Sequence, residues 1–362
     1  MLQALELAAR SFGLTEPNPR VGCVLGSHDG AVFGTGATQH AGGPHAEVMA
    51  LRQARGLGHD LKGATAWVTL EPCAHHGRTP PCCDALIEAR LSRVVIGARD
   101  PFPAVNGAGI ERLRAAGIAV EMADPELTAA CRYINIGFFS RLERGRPWVR
   151  LKLAASIDGK TALLNGASQW ITGPEARMDG HAWRRRASAV LTGIGTVLAD
   201  DPRLDTRLVD TQAQPLRVVL DSAWRTPREA RLIAPPGRAL VIGVAKENDN
   251  SRALRAAGAE LEWAPGSDTL VDLHAAMAQL GHRAINELHV EAGALLSGSF
   301  VAAGLVDELL VYLAPVVIGP GRSMLQLPAL DRLADARRFE LEEVQRLGGD
   351  LRIRMLTKPV SA

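Results

Sequence analysis

Short apolar runs alternate with segments whose apolar positions recur every three or four residues, and the alternation begins at the N-terminus. Residues 1–7 carry the helical spacing. Residues 21–25 and 31–33 read as strands around the turn His28-Asp29-Gly30. Residues 46–55 are helical in pattern, 65–70 strand-like, and 83–90 helical again. Strands at 94–97 and 118–120 flank a helix over 110–116. This order predicts an α/β domain with a mostly parallel sheet. A helical stretch over 126–143 ends at Arg144-Gly145-Arg146-Pro147, which carries stop signals.

A second α/β series starts at 148–154. Strands are expected at 190–192, 217–220, 239–243, 287–290 and 308–313, with helices over 174–186, 251–257 and 270–280. Two domains, 1–145 and 146–362, follow from this pattern, and a chain of 362 residues has material for both cores.

Composition narrows the class. Apolar residues make up 47% of the chain and charged ones 22%, the balance of a soluble globular protein. A formal charge of +2 argues against a surface that coats nucleic acid or anchors to a membrane. No apolar run is long enough to span a bilayer, and the first residues lack the organisation of a signal peptide. Three of the five cysteines crowd between Cys73 and Cys83, which suggests metal binding in a reducing compartment. The expectation is a cytoplasmic protein, with no nucleic-acid or membrane partner, that forms a homo-oligomer.

The strongest chemical signal is Pro44-His45-Ala46-Glu47, then Glu71-Pro72-Cys73, then Pro80-Pro81-Cys82-Cys83. One imidazole and two thiolates suit a zinc ion that keeps one tetrahedral position open for water. The prolines stand where helices begin, so His45 and Cys82 are expected in first turns, where the helix dipole favours a thiolate. Glu47 is too near His45 to be a comfortable fourth ligand, and it can move protons instead. This is the zinc-deaminase order, H-x-E before P-C-x-x-C, except that eight residues separate Cys73 from Cys82. His75, His76 and Cys83 remain alternative ligands on this reading. Two rival classes are a nucleic-acid-editing deaminase and a non-enzymatic, zinc-stabilised interaction protein.

In the second domain, Thr192-Gly193-Ile194-Gly195-Thr196 and Glu291-Ala292-Gly293 each join a strand to a helix, a junction where amides can approach a phosphate. Asp221 ends a strand as the acidic residue of an NAD site would, but no G-x-G-x-x-G precedes it at the required distance.

The segments Pro17-Asn18-Pro19-Arg20-Val21-Gly22-Cys23-Val24, His45-Ala46-Glu47 and Thr69-Leu70-Glu71-Pro72-Cys73-Ala74-His75-His76-Gly77-Arg78-Thr79-Pro80-Pro81-Cys82 resemble the bifunctional deaminase–reductases of riboflavin biosynthesis. So do Leu151-Lys152-Leu153-Ala154-Ala155-Ser156-Ile157-Asp158-Gly159-Lys160, Ser168-Gln169-Trp170-Ile171-Thr172 and Val197-Leu198-Ala199-Asp200-Asp201-Pro202-Arg203-Leu204. The resemblance implies a cytidine-deaminase-like three-layer domain followed by a dihydrofolate-reductase-like domain. It implies one Zn2+ per chain on His45, Cys73 and Cys82, with Glu47 as proton carrier, Asn18 near the pyrimidine, and His40 and His76 around the pocket. It implies NADPH near Ala154, Trp170, Thr196, Asp200, Ser222 and the run Gly293, Ala294, Leu295, Leu296, Ser297, Gly298 and Ser299. Ser168, Arg184, Leu204, Arg207 and Glu291 would face a sugar phosphate, and Lys152 the reacting sugar. The implied function is zinc-dependent deamination of 2,5-diamino-6-(5-phosphoribosylamino)pyrimidin-4-one, then NADPH-dependent reduction of its ribosyl group. An alternative is deamination of another pyrimidine or base beside an inactive or differently specific reductase-like domain. Two positions depart from the family pattern: Phe102 stands where Asn is usual, and Ala292 where Gly is usual.

Overall fold

The computed structural model of the chain describes residues 1–75, 80–265 and 269–357. It divides into two units, Met1–Gly145 and Arg146–Ala362.

In the first unit, α1 (Leu2–Ala9) leads into the hairpin of β1 (Gly22–Gly26) and β2 (Val32–Ala37). Then come α2 (Ala46–Gly56), β3 (Thr65–Leu70), α3 (Cys82–Glu88), β4 (Arg93–Ala98), α4 (Ala108–Ala115), β5 (Ala119–Met122), α5 (Pro125–Ile134) and α6 (Ile136–Arg144). The sheet order is β2-β1-β3-β4-β5. Strands β3, β4 and β5 are parallel, but β1 is antiparallel to both its neighbours. Four of the five strands run in one direction, as a mostly parallel sheet requires, and β1 alone is reversed. The short turn after β1 returns β2 beside it, a connection that only antiparallel strands can have, and β3 enters on the far side of β1 in the direction of β2.

Alternation along β1 builds three layers. Cys23 and Leu25 face the core shared with α2 and α3, while Val24 faces α1. Helix α2 lies close on β2 because Gly34 and Gly36 have no side chains. A Cβ at Gly36 would stand 2.1 Å from the Ala46 carbonyl oxygen, at the end of α2 that carries His45. The single helix expected over 126–143 is broken at Asn135. Its side chain accepts the Arg20 amide at 2.7 Å and donates to the Arg20 carbonyl at 2.9 Å, taking this residue out of the helical ladder.

The second unit runs β6 (Trp148–Ser156), β7 (Lys160–Leu163), α7 (Pro174–Arg186), β8 (Ala189–Gly193), α8 (Ile194–Asp200), β9 (Leu216–Leu220), β10 (Ala239–Gly243), α9 (Asp249–Ala256), β11 (Glu260–Trp263) and α10 (Leu273–His282). It ends with β12 (Glu287–Val290), α11 (Ala294–Ala302), β13 (Glu308–Ala314), β14 (Gly321–Ser323), β15 (Phe339–Leu347) and β16 (Asp350–Thr357). The large sheet has the order β11-β10-β9-β8-β12-β6-β13-β16-β15, parallel from β11 to β13 and antiparallel beyond. Val149, Leu151 and Leu153 of β6 point into its core, which leaves Lys152 and Ala154 on the opposite face. The sequence pattern missed β15 and β16, whose residues are mixed polar and apolar; β15 is the exposed edge, and β16 pairs between it and β13.

Candidate functional site

In the first unit, three segments distant in sequence converge. His45 is the N-cap residue of α2, and Cys82 is the first residue of α3, each directly after a proline. Cys73 lies just beyond the end of β3. The His45 Nδ1 is 3.2 Å from the Cys82 Sγ and 3.7 Å from the Cys73 Sγ. All three ligand atoms fall within 4.8 Å of one another. Zn–N and Zn–S bonds of about 2.0 and 2.3 Å imply ligand separations of roughly 3.5–3.8 Å in a tetrahedron. The donor set therefore fits zinc in both softness and spacing.

The electrostatics agree with that use. A hydrogen bond from Cys82, with His45 beside it, lowers the Cys73 thiol from its ordinary range, while Cys73 and burial raise Cys82. Glu47 projects from the first turn of α2 and is buried. Burial, with the neighbouring Cys73 charge, raises its carboxyl to about 7, so it can take up or release a proton near neutral pH.

Two of the alternative ligands, Cys83 and His75, stand apart. Cys83 turns its thiol to the Pro72 carbonyl at 3.3 Å and the Gly109 carbonyl at 3.6 Å. His75 is not part of the three-ligand group, and its ring lies 5.9 Å from that of Phe102. His76 lies outside the described residues. Asn18 sits in the loop before β1, its amide 2.9 Å from the Thr15 carbonyl, and His40 is exposed in the loop before α2. Sequence reasoning quoted Glu71 beside Cys73 but gave it no role. Its buried carboxylate accepts the amides of Gly107 at 2.9 Å, Gly109 at 3.0 Å and Ile110 at 3.3 Å, tying the start of α4 to the strand end that carries Cys73.

In the second unit, a cleft of about 360 Å³ is lined by Lys152, Ala154, Ser168, Trp170, Arg184, Asp200, Leu204 and Arg207. Glu291 adjoins it through its partners. The Arg184 Nη2 is 3.0 Å from its Oε2, the Lys152 Nζ 3.8 Å from Oε2, and the His289 Nε2 3.5 Å from Oε1. Although burial opposes ionisation, Arg184 and Lys152 hold the Glu291 carboxyl well below its ordinary range. Burial in turn lowers Lys152 against the pull of Glu291, which makes its ammonium a readier proton donor.

Three cleft arginines meet at Asp205, which the sequence did not single out. Its carboxylate accepts from the Arg203 Nε at 2.8 Å and the Arg207 Nη1 at 2.7 Å, and its carbonyl accepts from the Arg184 Nη1 at 2.9 Å. Forked guanidiniums held in this way suit a phosphate.

The two strand–helix junctions also meet, the Gly293 amide donating to the Thr196 hydroxyl at 3.2 Å. Within the run from Gly293, Ser297 and Gly298 are buried inside α11, while Gly293, Leu295 and Ser299 are exposed. Ser222 lies at the end of β9, away from the lining of the cleft. Ala292 does not take a positive φ, so the methyl that replaces hydrogen there creates no backbone strain.

Comparison with known proteins gives concordant matches. Residues 147–353 match the family described as RibD C-terminal domain, and residues 1–98 match the cytidine and deoxycytidylate deaminase zinc-binding region. The chain is 45% identical to the riboflavin biosynthesis protein RibD of Escherichia coli, covering 97% of this chain and 96% of that one. It is similar to the solved structure of Acinetobacter baumannii RibD, at 40% identity and a TM-score of 0.88, covering 99% and 98% of the two chains. It is also similar to a diaminohydroxyphosphoribosylaminopyrimidine deaminase/5-amino-6-(5-phosphoribosylamino)uracil reductase from Thermotoga maritima. That structure is 34% identical with a TM-score of 0.89, covering 99% and 97%.

Proposed function

The chain belongs to the RibD family of bifunctional riboflavin-biosynthesis deaminase–reductases, and we propose that the two side-chain groups described above carry its two reactions. It is an enzyme that uses zinc and NADPH. It deaminates 2,5-diamino-6-(5-phosphoribosylamino)pyrimidin-4-one and reduces the ribosyl group of the product to ribityl.

Deamination is assigned to residues 1–145. His45, Cys73 and Cys82 would hold zinc, which when bound acidifies a water enough to supply a nucleophile near neutral pH. Glu47 would carry two protons in turn at its carboxylate, the first from that water to a ring nitrogen and the second from the added hydroxyl to the departing amine, which leaves as ammonia. Its burial keeps bulk water from competing for that proton. Asn18 orients the pyrimidine. The observation that carries this reading is the convergence of one imidazole and two sulfurs within 4.8 Å beside a buried glutamate.

Reduction is assigned to residues 146–362. NADPH, when bound, supplies the hydride. Arg184 and Arg207 grip the sugar phosphate beside Ser168 and Leu204, and Glu291 fixes the Arg184 fork. Lys152 protonates the sugar oxygen released as the ring opens. Ala154, Trp170, Asp200, Thr196 and Ser222 line the cofactor's path, and the run Gly293 to Ser299 meets its diphosphate through its exposed start at Gly293.

Two coarser features complete the proposal. Thiol ligands and five unpaired cysteines suit a cytoplasmic enzyme. The edge strand β15, with Leu341 and Val344 exposed, favours a homo-oligomer, which light scattering would detect. Separate assays of ammonia release and NADPH oxidation by the purified full chain test the function. Zinc-replete protein that releases no ammonia from the diaminopyrimidine substrate would refute the deaminase assignment.

A further inference from the structure

Between α8 and β9, residues 201–207 have no regular secondary structure, yet they carry Leu204 and Arg207 into the cleft. Asp205 and Thr206 of this segment are buried. A buried irregular segment must find partners for its amides and carbonyls, since neither a strand ladder nor bulk water supplies them. Here side chains do so. The Gln214 Oε1 accepts the Thr206 amide at 2.7 Å, and its Nε2 donates to the Thr206 carbonyl at 2.8 Å. One residue exchanging both bonds with one partner is what antiparallel strands do, and a side-chain amide reproduces it. Helix α7 adds two more contacts. The Arg184 Nη1 donates to the Asp205 carbonyl at 2.9 Å, and the His181 Nδ1 accepts the Arg207 amide at 3.3 Å. His181 and Arg184 are three residues apart and so share one face of the helix. Four successive backbone groups, from the Asp205 carbonyl to the Arg207 amide, are thus held by three side chains.

The segment needs such holding. Leu204 is buried with φ at +53°, a left-handed conformation that costs a side-chain-bearing residue about 1–3 kcal/mol and persists only where its surroundings fix it. His181 is suited to its part. Burial, with the charges of Arg184 and Arg207, holds its imidazole down at about 4, so the ring is neutral and Nδ1 keeps the lone pair that the amide requires. Arg207 is then fixed at both ends. His181 holds its amide, the Asp205 carboxylate accepts from its Nη1 at 2.7 Å, and its side chain is still 46% exposed. A guanidinium anchored in this way loses little freedom when an anion arrives.

We propose that Gln214 and His181 are positioning residues of the reductase, which clamp the backbone of 205–207 so that Arg207 meets the sugar phosphate already oriented. Neither is among the residues that line the cleft, and both act through Arg207, whose phosphate role is the reading proposed above.

The test is a set of calorimetric titrations of the full-length protein with ribose 5-phosphate and, separately, with NADPH. The wild type is expected to bind ribose 5-phosphate, and Arg207→Ala to weaken it. Gln214→Leu is expected to weaken it about tenfold to a hundredfold, the worth of one or two hydrogen bonds, with NADPH affinity unchanged. His181→Leu should act in the same direction. His181→Asn, which returns an acceptor oxygen near the place of Nδ1, should recover most of that loss. Because the clamp acts through Arg207, the double variant Arg207→Ala/Gln214→Leu should bind no more weakly than Arg207→Ala alone, whereas a general structural role would add its own loss. Wild-type ribose 5-phosphate affinity in both leucine variants, additive losses in the double variant, or an equal loss of NADPH affinity overturns the clamp and leaves the phosphate reading of Arg207 intact. Wild-type protein with no affinity for ribose 5-phosphate, or Arg207→Ala with undiminished affinity, overturns that reading and the clamp with it.

Discussion

The Glu71 Oε1 lies 3.0 Å from the amide of Gly109, and the absence of a side chain on Gly109 lets α4 come that close. A Cβ at Gly109 would stand 2.0 Å from the Pro72 carbonyl oxygen, one residue before Cys73. The carboxylate and the glycine together fix where β3 ends and hence where the Cys73 sulfur sits. Glu71→Gln loses the charge at the helix start and leaves a buried amide among donors, so a stability loss of about 1–3 kcal/mol is expected. Zinc content should fall with it. Chemical denaturation with parallel metal analysis checks both, and a variant as stable and as zinc-loaded as the wild type contradicts the role.

Glu47→Gln should keep zinc and fold yet release ammonia about 100- to 10,000-fold more slowly, the usual worth of a positioned acid–base group. The amide preserves shape but cannot carry the proton. Wild-type turnover in this variant would remove Glu47 from the mechanism.

Adjacent cysteines give opposite expectations. Cys82→Ser should shed zinc, because its sulfur is 3.2 Å from the His45 Nδ1. Cys83→Ser should retain it, because that thiol faces the Pro72 and Gly109 carbonyls. Metal analysis of both purified variants decides the matter, and equal losses would mean that the ligands are assigned wrongly.

Each unit carries its own candidate residues, so the two activities should fail separately. Lys152→Ala should cripple NADPH oxidation while ammonia release continues, and chelation of zinc should do the reverse. Glu47→Gln protein should still reduce the pre-deaminated ribosylamino substrate. A well-folded Glu47→Gln protein unable to do so would point to a coupled site instead.

Much of this was written locally in the chain. Prolines before His45 and Cys82 mark helix starts because proline cannot continue a preceding helix and its fixed φ suits the extended entry to a new one. Short, near-continuous apolar runs located most of the parallel strands, since a strand covered on both faces is apolar along its length. The spacing of His45, Glu47, Cys73 and Cys82 identified the chemistry, because few other uses require those donors together.

What stayed hidden depends on contacts between distant residues. The pattern of β1 is the same whether it pairs parallel or antiparallel; only its placement between β2 and β3 decides. Cys82 and Cys83 are alike in sequence, and the rotation of α3 chooses which sulfur meets a histidine 37 residues away. Asp221 lacks the glycine motif of a ribose ligand, but only the fold shows that its carboxylate is given to Thr226. Glu71 and Asp205 looked like ordinary acids, because the amides and guanidiniums that give them purpose come from other elements. Sequence by itself determined which elements form and which chemistry they carry, since propensity and donor type are local. Tertiary structure alone decided which face, which neighbour and which of two equal candidates is used, since those follow from packing across the chain.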